Sequence, residues 1–76
     1  MEDKNPTYRL ANANPGRYRC IELDEGAPGV LRLQQLGLCQ DRELEVVACG
    51  NPMVVRVAHT EIGISKQLAE TILVFD

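Results

Sequence analysis

The stretch Glu43-Leu44-Glu45-Val46-Val47-Ala48-Cys49-Gly50-Asn51-Pro52-Met53-Val54-Val55-Arg56-Val57-Ala58-His59-Thr60-Glu61-Ile62-Gly63-Ile64 decides the fold. Leu44, Val46 and Ala48 alternate with Glu43, Glu45 and Val47. Met53, Val55 and Val57 then alternate with Val54, Arg56 and Ala58. A period of two is the mark of a half-buried strand. Cys49-Gly50-Asn51-Pro52 carries strong turn chemistry. It predicts a hairpin in which Ala48 faces Met53, Val47 faces Val54, Val46 faces Val55 and Glu45 faces Arg56. A two-residue turn at Ala58-His59 sets Arg56 against Glu61, Val55 against Ile62 and Met53 against Ile64. Both registers agree about the inner face. A slip of one residue in either would turn the aliphatics outward, so the agreement argues for a three-stranded meander.

Upstream, Gly16 to Leu23 alternates moderately and reads as a strand. Asp24-Glu25-Gly26-Ala27-Pro28-Gly29 is a loop that brings acidic charge and a proline to a helix start, where both fit. The helix occupies roughly Val30 to Leu36, within Arg32-Leu33-Gln34-Gln35-Leu36-Gly37-Leu38. Leu33 and Leu36 lie three apart on one face and are expected in the core. Gly37 stands where a helix commonly ends in a left-handed residue. Arg32 and Leu38 are expected to stay open to a partner. A helix this short forms only when burial repays its nucleation, so its expected role is a lid over the strands.

Downstream, Ser65 can cap a single turn through Lys66-Gln67-Leu68-Ala69-Glu70. Thr71-Ile72-Leu73-Val74-Phe75 is a closing strand, apolar on both sides, so both its faces should be covered. Residues 1–15, broken by Asn5-Pro6 and Asn14-Pro15, read as a lead-in with Tyr8 and Leu10 as anchors. Its flexible part is placed at 1–9 and the folded domain at 10–76. The expected fold is mostly β: a small, partly open five-stranded barrel, with one short α-helix after the first strand and a helical turn before the last.

Composition excludes several functions. Net charge is −3, and the arginines are scattered among acids, with two tyrosines and one phenylalanine in the whole chain. A nucleic-acid binder would show a basic patch with interleaved aromatics, so nucleic acid is not an expected partner. No apolar run approaches the roughly 20 residues needed to cross a bilayer, which argues against direct membrane insertion. Glu2, Asp3 and Lys4 make the N-terminus unlike a secretory signal, and Cys20, Cys39 and Cys49 cannot all pair within one chain. The expected location is the reduced cytosol. One histidine, no phosphate loop and no Cys-x-x-Cys pair leave no enzyme constellation. Cys39, Cys49 and His59 are the residues a metal would want. Cys49 and His59, however, sit in turns at opposite ends of one strand, about 15 Å apart at ~3.3 Å per residue. No metal site and no cofactor are expected.

The better functional signal is apolar. Val47 and Val54 face each other on the side away from the core, with Gly63 next across the sheet, and Met53 and Leu38 near the loops could extend the patch. Either the closing strand or the N-terminal arm covers this row, or a partner does. Arg32, Leu38, Val47, Met53 and Val54 are the expected partner contacts, and self-association is a further option. Arg56 is expected to pair across strands with Glu45 and Glu61, and Asp24-Glu25 reads as a solvated loop.

The order of features resembles the ferrous iron transport protein A (FeoA) family, whose small domain is an SH3-like barrel. The resemblance rests on Arg32-Leu33-x-x-Leu36-Gly37-Leu38, Leu44 to Ala48, Pro52-Met53-Val54-Val55-Arg56-Val57, Glu61-Ile62-Gly63-Ile64-Ser65 and Leu68-Ala69-x-x-Ile72-x-Val74. It implies a cytosolic accessory protein of bacterial ferrous iron uptake. The implied partner is the membrane iron permease that carries a cytosolic GTPase domain. The same barrel also forms the C-terminal domain of metal-dependent transcriptional repressors, which implies, as the alternative, a regulatory module that binds a transition metal. Two positions depart from the family pattern. Gln40-Asp41 stands where the family usually has proline-glycine, and His59 where it often has glycine. Both Asp and His tolerate a positive φ, so both turns are expected to survive.

Overall fold

The meander forms because its inner and outer faces are chemically distinct, and the rest of the sheet grows from it. The computed structural model describes residues 6–76; the first part of the lead-in, residues 1–5, lies outside the described residues. The strands are β1 (Thr7–Arg9), β2 (Gly16–Leu23), β3 (Glu43–Ala48), β4 (Met53–Val57), β5 (Thr60–Ile64) and β6 (Ile72–Phe75). They make one antiparallel sheet in the order β1-β6-β2-β3-β4-β5. Two short helices, α1 (Val30–Gln35) and α2 (Lys66–Ala69), sit in the β2–β3 and β5–β6 connections, and a single 3-10 turn, Leu10–Asn12, follows β1. The core is aliphatic: Leu10, Val30, Leu33, Leu38, Val46, Val55, Ile64 and Ile72 are among its buried members.

Among the described residues there are six strands, not five, and their sheet keeps two edges, at β1 and β5. The additional strand lies in the stretch expected to be a flexible lead-in: Thr7, Tyr8 and Arg9 pair with Phe75, Val74 and Leu73. Two exposed residues around one half-buried tyrosine carry no alternation that a sequence reading could catch. The strand is recruited from the other side. β6 is apolar on both faces and needs backbone partners along both edges, and β2 supplies only one. Tyr8 adds an edge-on contact with Tyr18, ring centroids 5.8 Å apart at 85°.

The β4–β5 register is the expected one, with Arg56 opposite Glu61, Val55 opposite Ile62 and Met53 opposite Ile64. The intervening Ala58-His59 turn has φ 51° and 68°, so both central residues are left-handed, the requirement of the tightest hairpin turn. Asp41, at φ 70°, is left-handed as well, a conformation that aspartate tolerates better than most non-glycine residues. The β3–β4 register holds at Glu45–Arg56 and Val46–Val55, then shifts, so that Ala48 rather than Val47 stands opposite Val54. Val47 is the extra residue of a β-bulge. The burial alternation is lost there, with Val47 and Ala48 both exposed.

Helix α1 ends in a compact hydrogen-bonded stop. Leu38 N–H donates to the Leu33 carbonyl at 2.9 Å and Gly37 N–H to the Gln34 carbonyl at 3.1 Å, with Gly37 at φ 110°. In this motif the residue after the glycine folds back onto the helix's last buried residue. Leu38 is therefore fully buried and packs with Leu33, while Leu36, at the C-cap, is 38% exposed. The expectation for the two leucines is reversed: Leu38 is core, and Leu36 is surface.

Candidate docking surfaces

Of the five residues expected to meet a partner, two are unavailable. Leu38 is 0% exposed and Met53 2% exposed. The same register that sets Met53 opposite Ile64 turns it inward. Val47 is 37% exposed, and Val54 is half-buried. Val54 stands opposite Gly63, and Pro52 lies against that glycine: a Cβ added to Gly63 would sit 3.9 Å from the Pro52 Cβ. The β1–β6 pair joins the other side of β2, and Val47 keeps its exposure. Beside this row, Arg56 bonds Glu61 at 2.7 Å and Glu45 at 3.1 Å. Those bonds, Glu61's first, favour the charged guanidinium. Pairs this exposed contribute little to stability and serve mainly to define a charged stripe.

Arg32 is exposed on α1 and, among the described residues, makes no ion pair with Asp24 or Glu25. Its neighbour Leu31 is 67% exposed, the most exposed large apolar side chain described. A signal for it was present in Val30-Leu31-Arg32-Leu33: three aliphatics in four helical residues exceed what one face of a helix can bury.

The thiols and the histidine do not gather into one site. Cys20 is buried on β2, and burial first, then the neighbouring Cys39, pushes its pKa up to about 11. The Cys39 thiol lies 3.8 Å from the Gly37 carbonyl and the Cys49 thiol 3.5 Å from the Ala13 carbonyl, while His59 is exposed in its turn. Among the described residues, no group of three or more histidine, cysteine or carboxylate side chains is arranged to hold a metal ion. No helix among them is long and apolar enough to cross a membrane.

A surface feature the sequence reading did not find lies where the 24–29 loop meets α2. The loop is pinned by its own hydrogen bonds, Ala27 N–H to the Asp24 carbonyl at 2.9 Å and Gly26 N–H to Asp24 Oδ1 at 3.1 Å. Helix α2 is capped by Ser65, whose Oγ accepts from Leu68 N–H at 3.2 Å. A further tie runs from Lys66 N–H to Asn51 Oδ1 at 3.0 Å. Leu68 lies against Gly29, so close that a Cβ there would be 3.1 Å from Leu68 Cδ2. Between these elements is an apolar cleft of about 290 Å3 lined by Ala27, Pro28, Ser65, Gln67, Leu68 and Thr71. A broader cleft of about 630 Å3 shares Thr71 with it and is lined also by Glu22, Asp24, Glu25, Glu70 and Arg9. The residues come from three separate stretches of sequence, Arg9, Glu22 to Pro28 and Ser65 to Leu73, which is why no local pattern announced them.

Comparison with known proteins gives a consistent picture. A family model described as the FeoA domain matches residues 8–75. No curated protein matches the chain by sequence. A crystal structure of an iron uptake regulatory protein (FeoA) superposes with a TM-score of 0.82 at 20% identity, over 92% of this chain and 97% of that one. A manganese-dependent transcriptional repressor superposes at 0.81 with 18% identity; the match covers 97% of this chain but 44% of the repressor. FeoA of Stenotrophomonas maltophilia complexed with zinc, described as a prokaryotic SH3 domain protein, gives 0.67 at 22% identity over 86% of each chain. These likenesses support an SH3-like fold.

Proposed function

This chain belongs to the FeoA family, and from that premise we propose that it is a cytosolic accessory protein of bacterial ferrous iron uptake, which docks on the membrane permease of that system and modulates its transport. The observation that carries the reading is the extent of the family match. It spans residues 8–75, so the domain is nearly the whole chain. What a single small domain of this kind brings to a transport system is binding surface. Exposed Val47 and half-buried Val54 on the sheet, and exposed Arg32 with Leu31 on α1, are the contacts proposed to take part.

Docking modulates a permease only through a difference in affinity. A partner that bound two permease conformations equally would shift nothing. A tenfold preference for one conformation moves the equilibrium by about 1.4 kcal/mol. The test is binding of the purified protein to the permease's cytosolic portion, with GDP and with a non-hydrolysable GTP analogue. Association at micromolar concentrations that differs between nucleotide states supports the proposal. No association at tens of micromolar in either state refutes it.

The repressor superposition favours a second reading, a regulatory module that responds to a transition metal. It requires Fe(II) or Zn(II) to bind the folded state and raise the melting temperature by mass action. An unchanged melting temperature under anaerobic titration refutes it.

A further inference from the structure

The two clefts beside the 24–29 loop, whose linings share Thr71, differ from the rest of the surface in how their charges are matched. The described ion pairs, Arg19–Glu43, Arg56–Glu45 and Arg56–Glu61, involve β2, β3, β4 and β5. Along the broad cleft, Glu22, Asp24, Glu25 and Glu70 have no ion-pair partner among the described residues. The one cation in that lining, Arg9, directs its Nη1 to the Glu70 backbone carbonyl at 2.9 Å. A carboxylate rim thus borders an apolar slot, and the two meet at Thr71.

Each half restricts the occupant. Unmatched carboxylates repel one another and any polyanion, and they attract cationic side chains. The apolar slot, at the small end of the range for ligand pockets, has room for a side chain or two rather than for the face of a helix. Ala27, Pro28 and Leu68 give its lining an apolar side that suits an aliphatic or proline side chain, and Ser65, Gln67 and Thr71 complete the walls. The walls are also held in place before binding, by the Ser65 cap, the Leu68–Gly29 contact and the turn hydrogen bonds at Asp24. A preformed groove loses little entropy when it binds.

We propose that this groove receives an extended basic segment of a partner protein, with an aliphatic or proline side chain seated among Ala27, Pro28 and Leu68, and lysines or arginines running along Glu22, Asp24 and Glu25. That the partner is the iron permease rests on the function proposed above; the chemistry of the segment does not.

The test uses the full chain and a fluorescein-labelled peptide of about nine residues carrying a leucine-proline pair flanked by arginines, followed by anisotropy. Two double variants remove the same charge in different places: Asp24→Asn with Glu25→Gln at the groove, and Glu43→Gln with Glu61→Gln on the sheet. Asp24→Asn keeps the oxygen that accepts from Gly26. The expected result is salt-sensitive binding that weakens at least about fivefold in the groove variant and less than about twofold in the sheet variant. Amide shifts in the wild type should centre on Ala27, Leu68 and Thr71. Equal weakening in both variants, no binding at millimolar peptide, or shifts centred on the Glu45–Arg56–Glu61 stripe would overturn the proposal. The permease's cytosolic portion, titrated in parallel, separates the two ideas. If it binds wild type and loses affinity only in the groove variant, it is the groove's partner. If it binds all variants equally, docking stands and the groove is not its seat. If only the peptide binds, the groove stands and docking on the permease fails.

Discussion

Replacing Leu38 with alanine, and separately Leu36 with alanine, separates two accounts of how α1 ends. Leu38 is fully buried by the helix-stop motif, while Leu36 is 38% exposed at the C-cap. Truncating a buried leucine removes transfer free energy and leaves a cavity, and such changes cost about 2–5 kcal/mol. With no exposed edge from which to collapse, Leu38→Ala should fall near the middle, about 3 kcal/mol. In a domain of this length, roughly 4–8 °C of melting temperature is lost per kcal/mol, so the midpoint should fall by roughly 12–24 °C. Leu36→Ala should cost under about 1 kcal/mol, because much of that side chain is already in water. The chain has no tryptophan, so urea unfolding is followed by far-UV circular dichroism, with the slope checked for constancy between variants. If Leu36→Ala proves the more damaging change, the helix ends differently and the reasoning from the Leu38–Leu33 hydrogen bond fails.

Other outcomes follow from single features. Replacing Ala58-His59 with asparagine-glycine removes left-handed strain at two non-glycine residues and should stabilise the fold by about 1–2 kcal/mol, read from the same urea curves. Ser65→Ala leaves Leu68 N–H without its side-chain acceptor and should cost about 1 kcal/mol. The Cys20 thiol is held neutral, its pKa raised from the usual 9.0 to about 11, chiefly by burial. Its contribution to stability is complete below pH 9.0 and is lost as pH rises toward 11, since the unfolded chain ionises first. Wild type should therefore lose more stability across that window than Cys20→Val. At pH 8, iodoacetamide should label exposed Cys49 well before Cys20; equal rates would contradict the burial.

The meander was legible because its evidence is local. Alternation in Met53–Val57 and Thr60–Ile64 and the turn between them leave one register that buries the aliphatics, and that register is observed. The positive φ of Asp41 and His59 was likewise expected from residue type. The charged triad of Glu45, Arg56 and Glu61 followed from the same pairing. The bulge at Val47 was not legible. A bulge adds one residue to one strand, and Val47-Ala48 reads as alternation or as bulge equally well. The exposures of Leu36 and Leu38 depended on a hydrogen bond across the helix stop, and spacing alone does not encode it.

By itself, the sequence determined a small, mostly β domain, its meander register, its capped helical turn and the family to which it belongs. Those rest on patterns within a dozen residues, where side-chain periodicity and turn chemistry act directly. Only the tertiary structure decided that Thr7–Arg9 is a strand, that Leu38 and Met53 are core, and that the 24–29 loop, α2 and the residues just after it line two neighbouring clefts. Each of these depends on which distant segments meet. Burial and charge matching belong to the neighbours a residue acquires in space, and those are absent from its place in the chain.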